Sequence, residues 1–65
     1  MSATPGADAD RQQALIRKVK EFFEANNTFA LTPDQRGELS RLFPGLTEAE
    51  RASAERQAAT HIYAG

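Results

Sequence analysis

The stretch Arg41-Leu42-Phe43-Pro44-Gly45-Leu46-Thr47-Glu48-Ala49-Glu50 decides the fold, because one helix is predicted to end and the next to begin within it. Pro44 removes an amide donor and disfavours helical backbone at Phe43, while Gly45 tolerates the left-handed region. Thr47 and Glu50 have the spacing of a capping box, in which the Thr side chain caps the first turn of a new helix. The stretch therefore predicts a tight corner between two helices, and it contains no catalytic or metal-binding motif.

The composition is typical of one small domain. The chain has 65 residues, of which 40% are hydrophobic and 26% are charged, and this size is near the lower limit for independent folding. It has no Cys and a single His, so neither disulfides nor a zinc site can support the fold, and a partner chain is the support that remains. The net charge of −1 gives no overall field that would steer the chain to nucleic acid or anionic lipid.

Upstream of the corner, two helices are predicted. The first runs from Asp10 to Asn26 after a disordered tail over residues 1–9, with Asp8 or Asp10 as its N-cap. The second is short and runs from Pro33 to about Phe43, with Thr32 as N-cap and Pro at the first helical position. The apolar face of the first helix follows the spacing i, i+1, i+4, i+7 and i+8; its members are Leu15, Ile16, Val19, Phe22 and Phe23.

The third helix is predicted from Glu48 to about Tyr63 and is rich in alanine. Its small residues fall in two neighbouring rows: Ala49, Ala52, Ala59 and Tyr63 form one, and Ala54, Ala58 and Ile62 form the other. Small side chains allow close helix approach, so Phe22 and Phe23 of the first helix are the natural complement. The predicted fold is all-α, a small three-helix bundle in which residues 10–65 form a single domain.

Residues able to carry catalysis are scarce. His61 is the only histidine, Cys is absent, and no Ser or Thr has the context of a nucleophile. The carboxylate pair Glu48 and Glu50 is explained by the positive end of the third helix dipole. We therefore predict a non-enzymatic protein with no catalytic residues, no cofactor and no metal site.

The leading hypothesis is a small interaction module, such as a regulator, an inhibitor or a small subunit. The alanine-rich third helix offers little large apolar area, so it is expected to leave aromatic side chains of the bundle uncovered, and uncovered aromatic residues mark interfaces. The partner is another protein or a second copy of the chain. The predicted contact residues are Phe22, Phe23, Phe43, Leu46 and Tyr63, with Arg17 and Lys20 at the rim.

The alternative hypothesis is a DNA-binding helix-turn-helix regulator, in which the third helix enters the major groove. Its candidate contacts are Arg51, Arg56, Gln57 and His61. Glu48 and Glu50 lie where base-reading residues cluster and would face phosphate repulsion, and the net charge shows no basic footprint. We therefore favour a protein partner over nucleic acid.

No apolar run has the length of a signal peptide or a transmembrane segment, so we expect a cytoplasmic protein without membrane contact. The sequence His-Ile-Tyr-Ala-Gly ends without an obvious tail. The chain being the N-terminal domain of a longer protein is therefore a third hypothesis.

Overall fold

Three helices connected by two short turns make up the fold. The computed structural model describes residues 5–64 and the side chains of residues 9–63. Helix α1 spans Pro5–Asn26, α2 spans Pro33–Leu42 and α3 spans Glu48–Ala64, and no strand occurs within residues 5–64. The prediction of an all-α three-helix bundle with a short second helix is confirmed.

Helix α1 begins earlier than predicted, at Pro5 rather than at Asp10. Neither Asp8 nor Asp10 is its N-cap, because both lie inside the helix, and part of the predicted tail is helical. Residues 1–4 of that tail lie outside the described residues. A proline at the first helical position has no amide to leave unpaired, and the alanines that follow favour helix, so a segment that resembled a tail by composition continues the helix.

The turn between α1 and α2 depends on two asparagines. Asn27 takes a left-handed backbone with a φ of 59°, a conformation that Asn tolerates better than most residues. The side-chain amide of Asn26 donates from Nδ2 to the carbonyl of Ala30 at 3.0 Å and to Oε1 of Gln35 at 2.7 Å, and its Oδ1 accepts from Gln35 Nε2 at 3.0 Å. The end of α1 is thus tied directly to the first turn of α2.

The start of α2 is the capping box that the sequence predicts. Thr32 Oγ1 accepts from the Gln35 amide at 3.1 Å, and the Thr32 amide donates to Gln35 Oε1 at 3.0 Å. Helix α2 ends at Leu42, and the amide of the C-cap residue Phe43 donates to the Leu39 carbonyl at 2.8 Å. Both ends of α2 are therefore fixed by local hydrogen bonds.

The corner between α2 and α3 is built as the sequence predicts, with one difference. Gly45 has a φ of 79°, and Thr47 Oγ1 accepts from the Glu50 amide at 3.1 Å. The predicted reciprocal half of this capping box would have the Glu50 carboxylate bind the Thr47 amide. The main hydrogen bonds to that carboxylate come instead from Arg11 of α1, and the Thr47 backbone amide interacts with it only weakly.

The core lies mainly between α1 and α3, which run in the same direction with α2 antiparallel to them. Arg11 contacts Glu50 at one end of the pair, and Phe23 lies beside Ile62 at the other. Of the two alanine rows of α3, the one that begins at Ala54 faces inward. The buried residues are Leu15, Val19, Phe23, Leu31, Leu39, Ala54 and Ala58.

Small side chains of α3 lie in the same core cluster as Phe23. This residue is 2% exposed and shares the core with Ala54 and Ala58, which are 1% and 0% exposed. Ala49 and Ala52, from the other row, are exposed. None of the helices within residues 5–64 combines the length and the apolar composition needed to cross a bilayer.

Candidate partner-binding surface

At the corner, one arginine of α1 holds several groups together. Arg11 donates from Nε to Glu50 Oε2 and from Nη2 to Glu50 Oε1, both at 3.3 Å, and from Nη1 to the Pro44 carbonyl at 3.0 Å. Its guanidinium carbon lies 5.9 Å from the centroid of the Phe43 ring, within the range of a cation–π contact. We call these four residues, Arg11, Phe43, Pro44 and Glu50, the corner clamp.

The clamp changes the electrostatics of Glu50. The Arg11 hydrogen bonds, followed by the charge of the guanidinium and a weaker interaction with the Thr47 backbone amide, hold the pKa of Glu50 below its ordinary value, while desolvation acts in the opposite direction. The Arg11 and Glu50 side chains are each 34% exposed, so water and salt screen the pair in part. The clamp joins α1 to the corner, and nothing in its geometry implies catalysis.

The predicted partner contacts at the corner mainly close the bundle. Phe43 and Leu46 are both half-buried and pack against the buried core. Leu42, which precedes them, is 53% exposed. The corner therefore leaves the large apolar side chain of Leu42 mostly accessible, and Leu42 is not among the predicted partner contacts.

The predicted contacts on α1 have different environments. Phe23 is 2% exposed, so its prediction as a partner contact is corrected: its position on the inner side of α1 makes it a core residue. Phe22 is half-buried, and Lys18 Nζ lies 5.1 Å from its ring centroid. Arg17 is exposed and Lys20 is half-buried, so these two cations are available at the surface.

Aromatic side chains are most exposed at the end of the bundle opposite the corner. Tyr63 is 88% exposed and Phe29 is 53% exposed. Phe29 makes an edge-to-face contact with Phe23, with ring centroids 5.9 Å apart and planes at 86°. Phe29 and the half-buried Ile62 border a shallow depression of about 350 Å³. We call the group Phe29, Ile62 and Tyr63 the aromatic end.

Phe29 was missed as a candidate contact. The sequence predicts that Phe29 and Leu31 both fold back onto the core, and only Leu31, at 6% exposed, is buried. The two residues are separated by one position, and a regular extended link would place both side chains on the same side. Phe29 lies instead in the bend that follows α1. The local sequence pattern therefore contains no signal that identifies Phe29 as the outward residue.

A groove between α1 and α3 brings together residues from both functional hypotheses. Arg17 and Lys20 were predicted at the rim of a protein interface, and Gln57 and His61 were predicted as DNA contacts, yet all four line one groove of about 360 Å³. Its remaining lining residues are Gln13 and Ile16. We call this feature the α1–α3 groove.

The four candidate DNA contacts do not share one face of α3. Arg51 lies on the side of α2, where its Nε is 3.0 Å from Glu55 Oε2 and its Nη2 is 4.0 Å from Glu48. Gln57 donates to Ser53 Oγ at 3.1 Å and lines the α1–α3 groove. This division, with Arg51 already neutralised by carboxylates, does not favour insertion of α3 into a major groove.

Within the part of the chain that the structure describes, no three His, Asp or Glu side chains lie together where they could hold a metal ion. Comparison with protein-family models, with curated proteins and with solved structures found no match.

Proposed function

We propose that this chain is a small non-enzymatic interaction module, such as a regulator, an inhibitor or a small subunit, that binds a partner protein through the aromatic end. The observation that supports this proposal best is the exposure of Tyr63, at 88%, together with that of Phe29, at 53%. Tyr63 follows Ile62 in the last turn of α3, and Ile62 borders the same depression as Phe29. Large apolar groups thus occur together at one end.

Burial of these side chains would supply useful binding energy. Complete burial of a large apolar side chain contributes about 1.5–3 kcal/mol, and tyrosine is enriched among residues that dominate interface energetics. Phe29 is already held on one side by its contact with Phe23, so less conformational freedom is lost when a partner covers it. A preorganised aromatic residue at the same end of the bundle as a highly exposed one is a suitable anchor for a protein interface.

Association measurements with matched variants test the proposal. The tagged full chain is used to capture proteins from its source cells, and its own association state is followed by sedimentation. We expect either self-association or capture of a discrete partner, lost in the Phe29→Ser, Tyr63→Ser double variant. Leu42→Ser is the control, because Leu42 is also 53% exposed but lies at the corner.

Two outcomes would contradict the proposal. A chain that stays monomeric at all concentrations and retains no protein has no interface of this kind. Equal association by the wild type and the double variant, with circular dichroism showing that both are folded, would move the interface away from the aromatic end. A salt-dependent shift of duplex DNA, lost on Arg51→Ala and Arg56→Ala, would instead support the helix-turn-helix alternative.

A further inference from the structure

The α1–α3 groove differs from the aromatic end in its chemistry. Arg17 and Lys20 of α1 lie across from His61 of α3, and the amide side chains of Gln13 and Gln57 line the same groove. Ile16 is half-buried and packs against the core, so it gives the groove an apolar contact. Among the described residues that line it, none carries a carboxylate.

The cations at this groove are not neutralised within the described part of the chain. Arg11, Lys18 and Arg51 each form an ion pair with a glutamate. Within residues 9–63, Arg17 and Lys20 form no such pair. Arg56 is also exposed and borders an adjoining depression together with Gln57 and His61.

This local excess of positive charge occurs in a chain whose net charge is −1. Like charges placed close together repel one another, and a bound anionic ligand would offset that repulsion by attracting both cations. Arginine binds carboxylates through paired hydrogen bonds, and the neighbouring amides can donate further hydrogen bonds to the same groups. The groove is therefore complementary to a ligand that carries several carboxylates.

Resting on the function proposed above, we propose that the α1–α3 groove binds an acidic segment of the partner protein, rich in Asp or Glu and carrying an apolar side chain. The carboxylates of that segment contact Arg17 and Lys20, and the apolar side chain lies on Ile16. His61 of the groove is adjacent in sequence to Ile62 of the aromatic end. One partner can therefore occupy both surfaces.

A protein segment fits this site better than nucleic acid does. Specific duplex binding commonly neutralises about six to ten phosphates, whereas the groove and its adjoining depression present the cations Arg17, Lys20 and Arg56. On the α2 side of α3, Glu48 and Glu55 flank Arg51 and would repel an extended phosphate backbone. An apolar contact at Ile16 is also more useful to a peptide side chain than to a phosphate backbone.

Peptide titration with charge-matched variants tests this inference. The probe is a synthetic peptide of alternating Glu and Leu residues, and its Gln and Lys counterparts serve as ligand controls. The full chain is titrated at low and at physiological salt while its backbone amides are followed by NMR. Arg17→Gln, Lys20→Gln is the test variant. Arg36→Gln, Arg41→Gln is the control, because both of its arginines are exposed on α2 and the same charge is removed.

We expect the Glu peptide to bind with an affinity that falls with salt, and its amide shift changes to map to the groove. The test variant should weaken binding about tenfold or more, and the control variant should not change it beyond about twofold. Equal weakening in both variants would show that the peptide is attracted by the overall positive charges rather than bound at the groove, and it would overturn the inference. The absence of Glu-peptide binding at low salt would also overturn it.

Tighter binding of a duplex DNA of similar length than of the Glu peptide, at matched salt, would assign the groove to nucleic acid. The Phe29→Ser, Tyr63→Ser variant distinguishes failure of this inference from failure of the proposed function, because it tests the aromatic end independently of the groove. If partner association depends on the aromatic end while Glu-peptide binding is absent, the groove assignment fails and the interaction module stands. If the Glu peptide binds at the groove while no association is found, the aromatic end is not the interface.

Discussion

The two ends of the bundle have similar turn chemistry, but an aromatic side chain is partly covered at one end and mostly exposed at the other. At each end a threonine hydroxyl caps a helix by accepting a backbone amide hydrogen bond at 3.1 Å, Thr32 for α2 and Thr47 for α3. At each end an aromatic residue follows a helix, Phe29 after α1 and Phe43 after α2. Phe43 is half-buried, whereas Phe29 is 53% exposed.

The difference in exposure between Phe43 and Phe29 follows from the groups that cover each ring. Arg11 reaches from α1 to the corner, where its guanidinium lies over Phe43 and binds both Glu50 and the Pro44 carbonyl. At the other end the polar link is a pair of amides, Asn26 and Gln35, which ties α1 to α2, and Phe29 stays 53% exposed. The aromatic residue at the corner is therefore covered by a contact within the chain, whereas Phe29 and Tyr63 at the aromatic end stay accessible.

The largest expected effect comes from the paired aromatics Phe23 and Phe29. Phe23→Ala should destabilise the protein by about 3–5 kcal/mol, because it leaves a cavity in the core. This is similar to the whole stability of a small domain, so the variant should be mostly unfolded. Phe29→Ala should cost about 1 kcal/mol or less, since it loses chiefly the edge-to-face contact. Urea denaturation followed by circular dichroism measures both. Similar losses in the two variants would mean that Phe29 is part of the core and that the ends do not differ.

The second effect concerns the corner clamp. Arg11→Ala should lower the free energy of unfolding by about 1–2 kcal/mol, because it removes the hydrogen bonds to Glu50 and Pro44 from a pair that is partly screened by water. Arg17→Ala is the control and should change it by no more than about 0.5 kcal/mol, since Arg17 forms no ion pair within residues 9–63. Equal effects of the two substitutions would show that the clamp does not hold the corner.

The third effect concerns two glycine-to-alanine substitutions, which should change the stability of the protein in opposite directions. Gly45 has a φ of 79°, so Gly45→Ala should destabilise the corner by about 1 kcal/mol through backbone strain. Gly37 lies inside α2 with no atom within 4 Å of an added Cβ, so Gly37→Ala should stabilise the protein by up to about 1 kcal/mol. Thermal unfolding of both variants measures the difference. A rise in the unfolding temperature for Gly45→Ala would mean that the corner does not require a left-handed residue.

Local features of this fold could be predicted from the sequence. The starts of α2 and α3, the corner at Gly45 and the exit from α1 depend on residues that lie within a few positions of one another, and capping chemistry identifies them. The apolar face of α1 follows from its periodicity in the same way. In contrast, the start of α1 was misplaced, because a proline followed by Gly, Ala and Asp is compatible with both a tail and a first helical turn.

Features that depend on how the helices face one another could not be predicted. Arg11 and Glu50 are separated by 39 positions, and nothing in their local context links them. The two alanine rows of α3 are equally small, so the sequence does not show that the row of Ala54 and Ala58 faces inward. For the same reason, the meeting of Arg17 with His61 in one groove required the relative placement of α1 and α3. The candidate site was therefore predicted only in part.

The smallest expected effect is a pH dependence of the free energy of unfolding that arises from Glu50 in the corner clamp. The pKa of Glu50 is lowered in the folded protein, so its ionised form stabilises the fold above the ordinary glutamate pKa of about 4.3. That contribution is lost as the pH falls through the lowered pKa. The difference in urea midpoint between the wild type and Glu50→Gln should therefore shrink when the pH is reduced from neutral to acid. Glu24→Gln is the control, because Glu24 is exposed, forms no ion pair within residues 9–63 and carries the same charge away from the corner clamp. A difference for Glu50→Gln that stays constant or grows at acid pH would mean that Arg11 does not hold the carboxylate in its ionised form, and the contrast between the two ends would then rest on packing alone.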